Sequence, residues 1–161
     1  MDSPEVLGLN LGLFTGIHVV LSLIAIVAGF LVLVLLIGRK QHTVWTPIFL
    51  VSSILTVLTG FVFPFKGISP AIILGVLSLI ALIVAIVALL SKHLRGTYIL
   101  SVSIALFFNV FVLIVQSFEK IGFLHAIAPT QSSPGFWIAQ LAGIVVIALL
   151  AWTAWRRYRA A

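Results

Sequence analysis

Five stretches of about 20 or more residues pass without a single charged side chain, and that feature limits the fold more than any other. They run from Leu11 to Ile37, Val44 to Phe65, Pro70 to Leu90, Thr97 to about Phe118, and Phe136 to about Trp155. A helix needs about 20 mainly apolar residues to cross the hydrocarbon core of a bilayer. In hydrocarbon every backbone N–H and C=O must find a partner inside the protein, and a helix supplies those partners within one segment. Barrel strands would alternate polar and apolar residues, which these runs do not. The expected fold class is all-α: an integral membrane bundle of about five transmembrane helices, one domain over residues 1–161.

Composition agrees. The chain is 63% hydrophobic and 7% charged, whereas a soluble domain carries about 25% charged residues because its surface faces water. A net charge of +6 raises a nucleic-acid partner, but the basic residues fall in short clusters between apolar runs, with no basic helix face. That distribution excludes nucleic acid and points to topology. Arg39, Lys40, Lys92, Arg95, Arg156, Arg157 and Arg159 would share one side of the membrane. Lys66 and Lys120 would share the other with Asp2, Glu5 and Glu119. Loops rich in Lys and Arg stay in the cytoplasm, so the N-terminus is expected outside and the C-terminus inside. Trp45, Tyr98, Trp152, Trp155 and Tyr158 fall near the cytoplasmic boundary as expected interfacial anchors. Asp2 and Glu5, and the length of the first apolar run, argue against a cleavable signal peptide. With no cysteine, disulfides, thiolate metal sites and cysteine nucleophiles are excluded.

Small residues recur at helical spacing. Gly8, Gly12 and Gly16 form one stripe on the first span, and His18, Ser22, Ala25 and Gly29 form another. Ser78, Ala81, Ala85 and Ala88 do the same on the third. Such stripes let transmembrane helices approach closely, within one chain or between copies, so a homo-oligomer or a place in a larger membrane complex is a candidate assembly. The layout of span, basic-His loop and span occurs twice, around Arg39 to His42 and around Lys92 to Arg95, which suggests two hairpins followed by a fifth helix.

Chemistry is sparse. On the fourth span Ser101, Ala105, Asn109, Val112, Gln116 and Glu119 share one face at about 100° per residue. Carboxamides in hydrocarbon need partners, so that face is expected to turn inward. At similar depth lie His18, Thr56 and Thr59 (with Ser52 below them) and Gln140. The candidate ligand-binding residues are therefore His18, Thr56, Thr59, Asn109, Gln116 and Gln140, with Glu119 at the rim, forming a polar region in the outer leaflet. Polar residues inside a membrane are functional candidates; the competing reading is a hydrogen-bond network that only fixes packing.

His18 is the one histidine inside a span. A bis-histidine haem would need a second at the same depth, and His125 reaches it only if the outer loop folds inward. His42 and His93 sit in equivalent cytoplasmic loops, where histidine beside Lys and Arg is commonly interfacial. The loop from Ile121 to Gly135 is apolar at first and reads as a short interfacial turn broken by Pro129 and Pro134, a candidate cap over the polar region. No Ser–His–acid set, phosphate loop or metal-ligand cluster is present, so catalysis has little support.

The segment from Ala105 to Lys120 (ALFFNVFVLIVQSFEK), with Leu124-His125 and the run from Ala128 to Gln131, resembles part of a family of small multi-pass bacterial inner-membrane proteins with no assigned activity. Gly16 to His18 and Leu58 to Phe61 are similar to the same proteins. The resemblance implies a bacterial plasma membrane and names no reaction. A looser likeness to di-haem membrane cytochromes fails on the missing paired histidines. Three functions are expected in this order: a small-ligand binding or accessory subunit, with a quinone as one candidate ligand; an oligomeric small-solute channel or transporter; and a b-type haem redox protein.

Overall fold

The structure, a computed structural model, describes residues 5–6, 8–64, 70–91 and 93–159. Asp2, Phe65, Lys66 and Lys92, used above for charge and span boundaries, lie outside the described residues. Five long helices carry the fold: α1 (Leu11–Ile37), α2 (Trp45–Val62), α3 (Pro70–Leu90), α4 (Arg95–Lys120) and α6 (Pro134–Arg159), with the short α5 (Gly122–Ile127) between the last two. Each of the five is long and apolar enough to cross a membrane. Ahead of them Glu5–Val6 (β1) and Leu9–Asn10 (β2) pair antiparallel through a turn at Gly8, whose φ of 76° suits glycine. This ladder is a small departure from the all-α expectation. Asn10 then caps α1, its side-chain oxygen accepting from the Gly12 N–H at 2.7 Å.

Most helix ends follow local chemistry. Helix α2 stops at Val62, short of the expected Phe65, because Phe63 precedes a proline and takes an extended conformation. Helix α6 starts at Pro134, not Phe136; the residue expected to break the loop opens the helix, where the missing N–H costs nothing. Arg156, Arg157 and Arg159 occupy its last turn, where cations suit the negative end of the helix dipole. The end of α1 is unusual. Arg39 stands at φ 61°, and the N–H groups of Arg39 and Lys40 bond back to Leu36 and Leu35. That closure normally uses glycine, and a side chain in the left-handed region costs about 1 kcal/mol.

Helices α1 to α4 form a ring in which each packs on the next, and α4 closes against α1. Helix α6 lies outside the ring, against α4 and α1. Two hairpins and an added helix are thus what the duplicated loop pattern suggested. Apolar surface gains little by leaving lipid for protein, so close van der Waals fit must hold such a bundle together. Gly29 provides that fit at the centre: a Cβ there would come within 2.7 Å of Leu106 on α4 and 2.9 Å of Phe49 on α2. Leu33, Leu36, Leu82 and Ile99 fill the core toward the end that holds the α1–α2 turn, here termed the basic end. The buried stripe of α3, Ser78, Ala81, Leu82, Ala85 and Ala88, faces this core. By contrast, a Cβ at Gly8 or Gly16 would meet nothing within 4 Å, and one at Gly12 only the Asn10 side chain. That stripe packs no helix of its own chain among the described residues.

Tyr98 corrects the anchor assignment. It is fully buried, and its ring belongs to the core beside Thr46 and not to an interface. Its position one turn inside α4 made the two placements look alike in sequence.

Candidate functional site

Buried hydroxyls in a helix can return their proton to a carbonyl one turn earlier. Seven helical hydroxyls donate to the carbonyl four residues back, Thr15, Ser22, Ser52, Thr59, Ser101, Ser103 and Thr153, and of these Ser52, Ser101 and Ser103 are buried. Two serine and threonine hydroxyls in the helices are buried without any hydrogen-bond partner. Thr56 Oγ1 and Ser78 Oγ are shielded from solvent and have no hydrogen-bond partner. Leaving a hydroxyl unpaired in an apolar interior costs about 1–3 kcal/mol, so these two mark where the polar interior is incomplete.

Thr56 sits between two polar pairs. Toward the N-terminal end of the bundle, His18 Nδ1 on α1 meets Thr59 Oγ1 on α2 at 2.8 Å. Deeper, Asn109 Nδ2 on α4 donates to Ser53 Oγ on α2 at 3.2 Å. Six residues separate Ser53 from Thr59, about 9 Å of rise, and the three α2 residues keep to an arc of about 120°. Ser53, Thr56, Ser78 and Asn109 are all buried. Ser78 lies about 12 Å along α3 from Pro70, a comparable depth.

The carbonyls around Thr59 favour one histidine tautomer. The Thr59 hydroxyl has one proton, and it is held by the Leu55 carbonyl at 2.7 Å, shared with that of Thr56 at 3.1 Å. A carbonyl only accepts, so Thr59 offers His18 a lone pair. In that arrangement Nδ1 carries the ring proton and Nε2 keeps the lone pair; a Thr59 proton turned to the imidazole reverses the two. Half-buried His18 is fixed further by Phe63, whose ring meets it edge-on at 5.2 Å and in turn stacks on Phe14 at 5.1 Å. A close approach of α2 leaves the imidazole against Gly60, where a Cβ would stand 3.6 Å from the ring. The side chains of His18, Thr56 and Asn109 thus follow one another as a polar column through the bundle, with an unfilled donor-acceptor at Thr56 and a carboxamide at Asn109. Its uncharged donors and acceptors are of the kind that pair with a carbonyl or hydroxyl.

Of the residues singled out from sequence, His18, Thr56, Thr59 and Asn109 line this column. Gln140 does not join them. It is buried on α6, donating to the Phe111 carbonyl at 3.3 Å with its own oxygen unpaired, and Phe111 lies about 200° round α4 from Asn109. The body of α4 stands between. Gln116 corrects the inward-facing expectation: it is exposed. Helix α4 has 26 residues, about 39 Å, against a hydrocarbon core of about 30 Å. Four residues from the end of α4, Gln116 can be satisfied at headgroup level and needs no interior partner. Glu119 is exposed too, 3.4 Å from Gln131 of the following loop. That loop is tied down by His125 Nδ1 on the Phe118 carbonyl at 3.2 Å and by Phe136 against Phe118.

Sequence reading missed Ser53 and the orphaned state of Ser78. Ser52 shares the face of Thr56 and Thr59 and drew attention first, yet its hydroxyl is spent on Ile48 and Phe49 carbonyls. The signal for Ser53 was available: it is the serine next to the face that α2 turns to Asn109. Among the described residues no three of His, Cys, Asp and Glu gather as a metal site. His42 and His93 are exposed at the basic end. Comparison with protein families, with characterised proteins and with solved structures finds no match.

Proposed function

We propose that the chain is a multi-pass membrane protein, N-terminus outside and C-terminus in the cytoplasm, that acts as a binding or accessory subunit for a small hydrogen-bonding ligand of the quinone class. The orientation draws support from seven basic residues at one end against two at the other. Large apolar side chains exposed along the helices, such as Val27, Leu58, Ile80 and Leu149, suit a lipid-facing surface. The family resemblance supports a bacterial inner membrane. One observation carries the ligand: the buried Thr56 hydroxyl, unpaired between the His18–Thr59 and Ser53–Asn109 pairs. A quinone carbonyl accepting from Thr56 would remove that deficit.

The test is thermal unfolding of the detergent-purified protein with short-chain benzoquinone and naphthoquinone. Both His18→Phe and Thr56→Val should abolish a ligand-induced rise in midpoint that the parent protein displays. If Thr56→Val is simply more stable and no quinone shifts either protein, Thr56 is a packing defect and the reading fails.

A second reading, an oligomeric small-solute channel, draws on the glycine face of Gly8, Gly12 and Gly16, which no other described residue covers apart from the Asn10 side chain at Gly12. Cross-linking in lipid that yields monomers alone would end it. The b-type haem alternative rests on His18 without a facing histidine, and a Soret band in the purified protein is its test.

A further inference from the structure

The column leaves the basic end unexplained. There the turn after α1, the start of α4 and the end of α6 surround a cavity of about 420 Å³, lined among others by Arg39, Lys40, His42, Thr43, Arg95 and Tyr158. Charge there is unbalanced. The chain has three acidic residues, Asp2, Glu5 and Glu119; of the two described, Glu5 precedes α1 and Glu119 closes α4, both at the other end.

The cations are held in place. Arg39, set by its left-handed backbone, donates from Nε and Nη2 to the Arg157 carbonyl at 3.1 and 2.8 Å. A guanidinium has five N–H donors, so three remain for another acceptor. Arg95 stands 5.7 Å over the Tyr158 ring. Two hydroxyls at the pocket, Thr43 Oγ1 and that of Tyr158, are buried without a partner. Helices α2 and α4 both begin at this end with no side-chain cap, at Val44 and Leu94. Their positive ends are offset by the negative C-terminal ends of α1 and α6 at the same pocket, so the side chains set its potential. Converging cations and unpaired hydroxyls together describe a site for an oxyanion.

A second cavity tells what the oxyanion belongs to. An apolar groove of about 380 Å³ runs between α4 and α6, past Ile99, Phe107, Ile147, Ala151 and Trp155. It begins one turn from the pocket on both helices, Ile99 following Arg95 and Trp155 preceding Tyr158. A free phosphate would use the pocket alone; a phospholipid would use both. We propose that this end binds an anionic phospholipid, its phosphate in the basic pocket and one acyl chain along the α4–α6 groove. Basic pockets between transmembrane helices are suited to anionic headgroups.

Native mass spectrometry of the full chain in neutral detergent, titrated with phosphatidylglycerol or phosphatidylcholine, tests this. The expected result is about tenfold stronger retention of phosphatidylglycerol, reduced about fivefold by Arg95→Gln and lowered also by Thr43→Val, which leaves the charge unchanged. Lys120→Gln, at the far end, should leave the preference intact and thereby separates a local site from net charge. Equal retention of the two lipids by the parent protein overturns the proposal. So does displacement of phosphatidylglycerol by millimolar inorganic phosphate without loss in Trp155→Ala, which would assign the pocket to free phosphate. Should Arg95→Gln fail to fold, Thr43→Val and the parent protein's headgroup preference still decide.

Discussion

A serine or threonine hydroxyl in this bundle has three fates: bonded to its own backbone, bonded across helices, or buried and unpaired. The cross-helix case, Asn109 to Ser53, ties α4 to α2 across the ring. Measured contacts of this kind contribute about 0.6 to 1.7 kcal/mol. Asn109→Leu and Ser53→Ala should each lower unfolding stability, and the double variant should cost less than the sum by about that amount. Strict additivity in a double-mutant cycle would mean the 3.2 Å contact has no energetic content. The residue scale is also where sequence reading was weakest. Asn109 advertised itself, because a carboxamide in mid-span must find a partner. Which serine it finds depends on the rotation of α2, and one residue, Ser52 or Ser53, changes the answer.

At the scale of the element, two glycine-bearing faces of α1 separate in role. Gly29 lies where α2 and α4 converge, so Gly29→Leu must displace both Phe49 and Leu106. Overpacking of this kind costs about 1–3 kcal/mol, and the unfolding midpoint should fall accordingly. Gly16→Leu meets open space and should leave the monomer as stable as the parent protein. A comparable loss from both would contradict the packing described. In sequence the two stripes looked equivalent, since spacing reports a shared face but not what stands opposite. Span boundaries were legible where charge or proline set them, as at Ile37 and Pro70. They shifted where helices run on beyond the apolar core, as α4 does to Arg95 and Lys120. Tyr98 and Gln116 changed environment for that reason: depth in a helix was readable, but length beyond the membrane was not.

For the whole molecule, five helices long enough to cross a membrane and one-sided charge make the topology testable. A fluorescent reporter that matures only in the cytoplasm should be bright when fused after Arg159 and dark when inserted at Thr130. The reverse pattern would invert the proposed orientation and with it the leaflet assigned to the His18 column. The number of helices and their pairing followed from hydropathy and the duplicated loops. The columns and pockets did not, because each is built from residues far apart in the chain whose meeting depends on helix rotation.

The clasp of Arg39 on the Arg157 carbonyl joins positions 118 residues apart. The guanidinium emerges with the first hairpin but must wait for the end of α6 before it can close. Until then the turn after α1 holds its strained backbone without that reward. Ribosome-bound intermediates lacking α6 should therefore keep this corner open to protease, and its closure would report that α6 has docked.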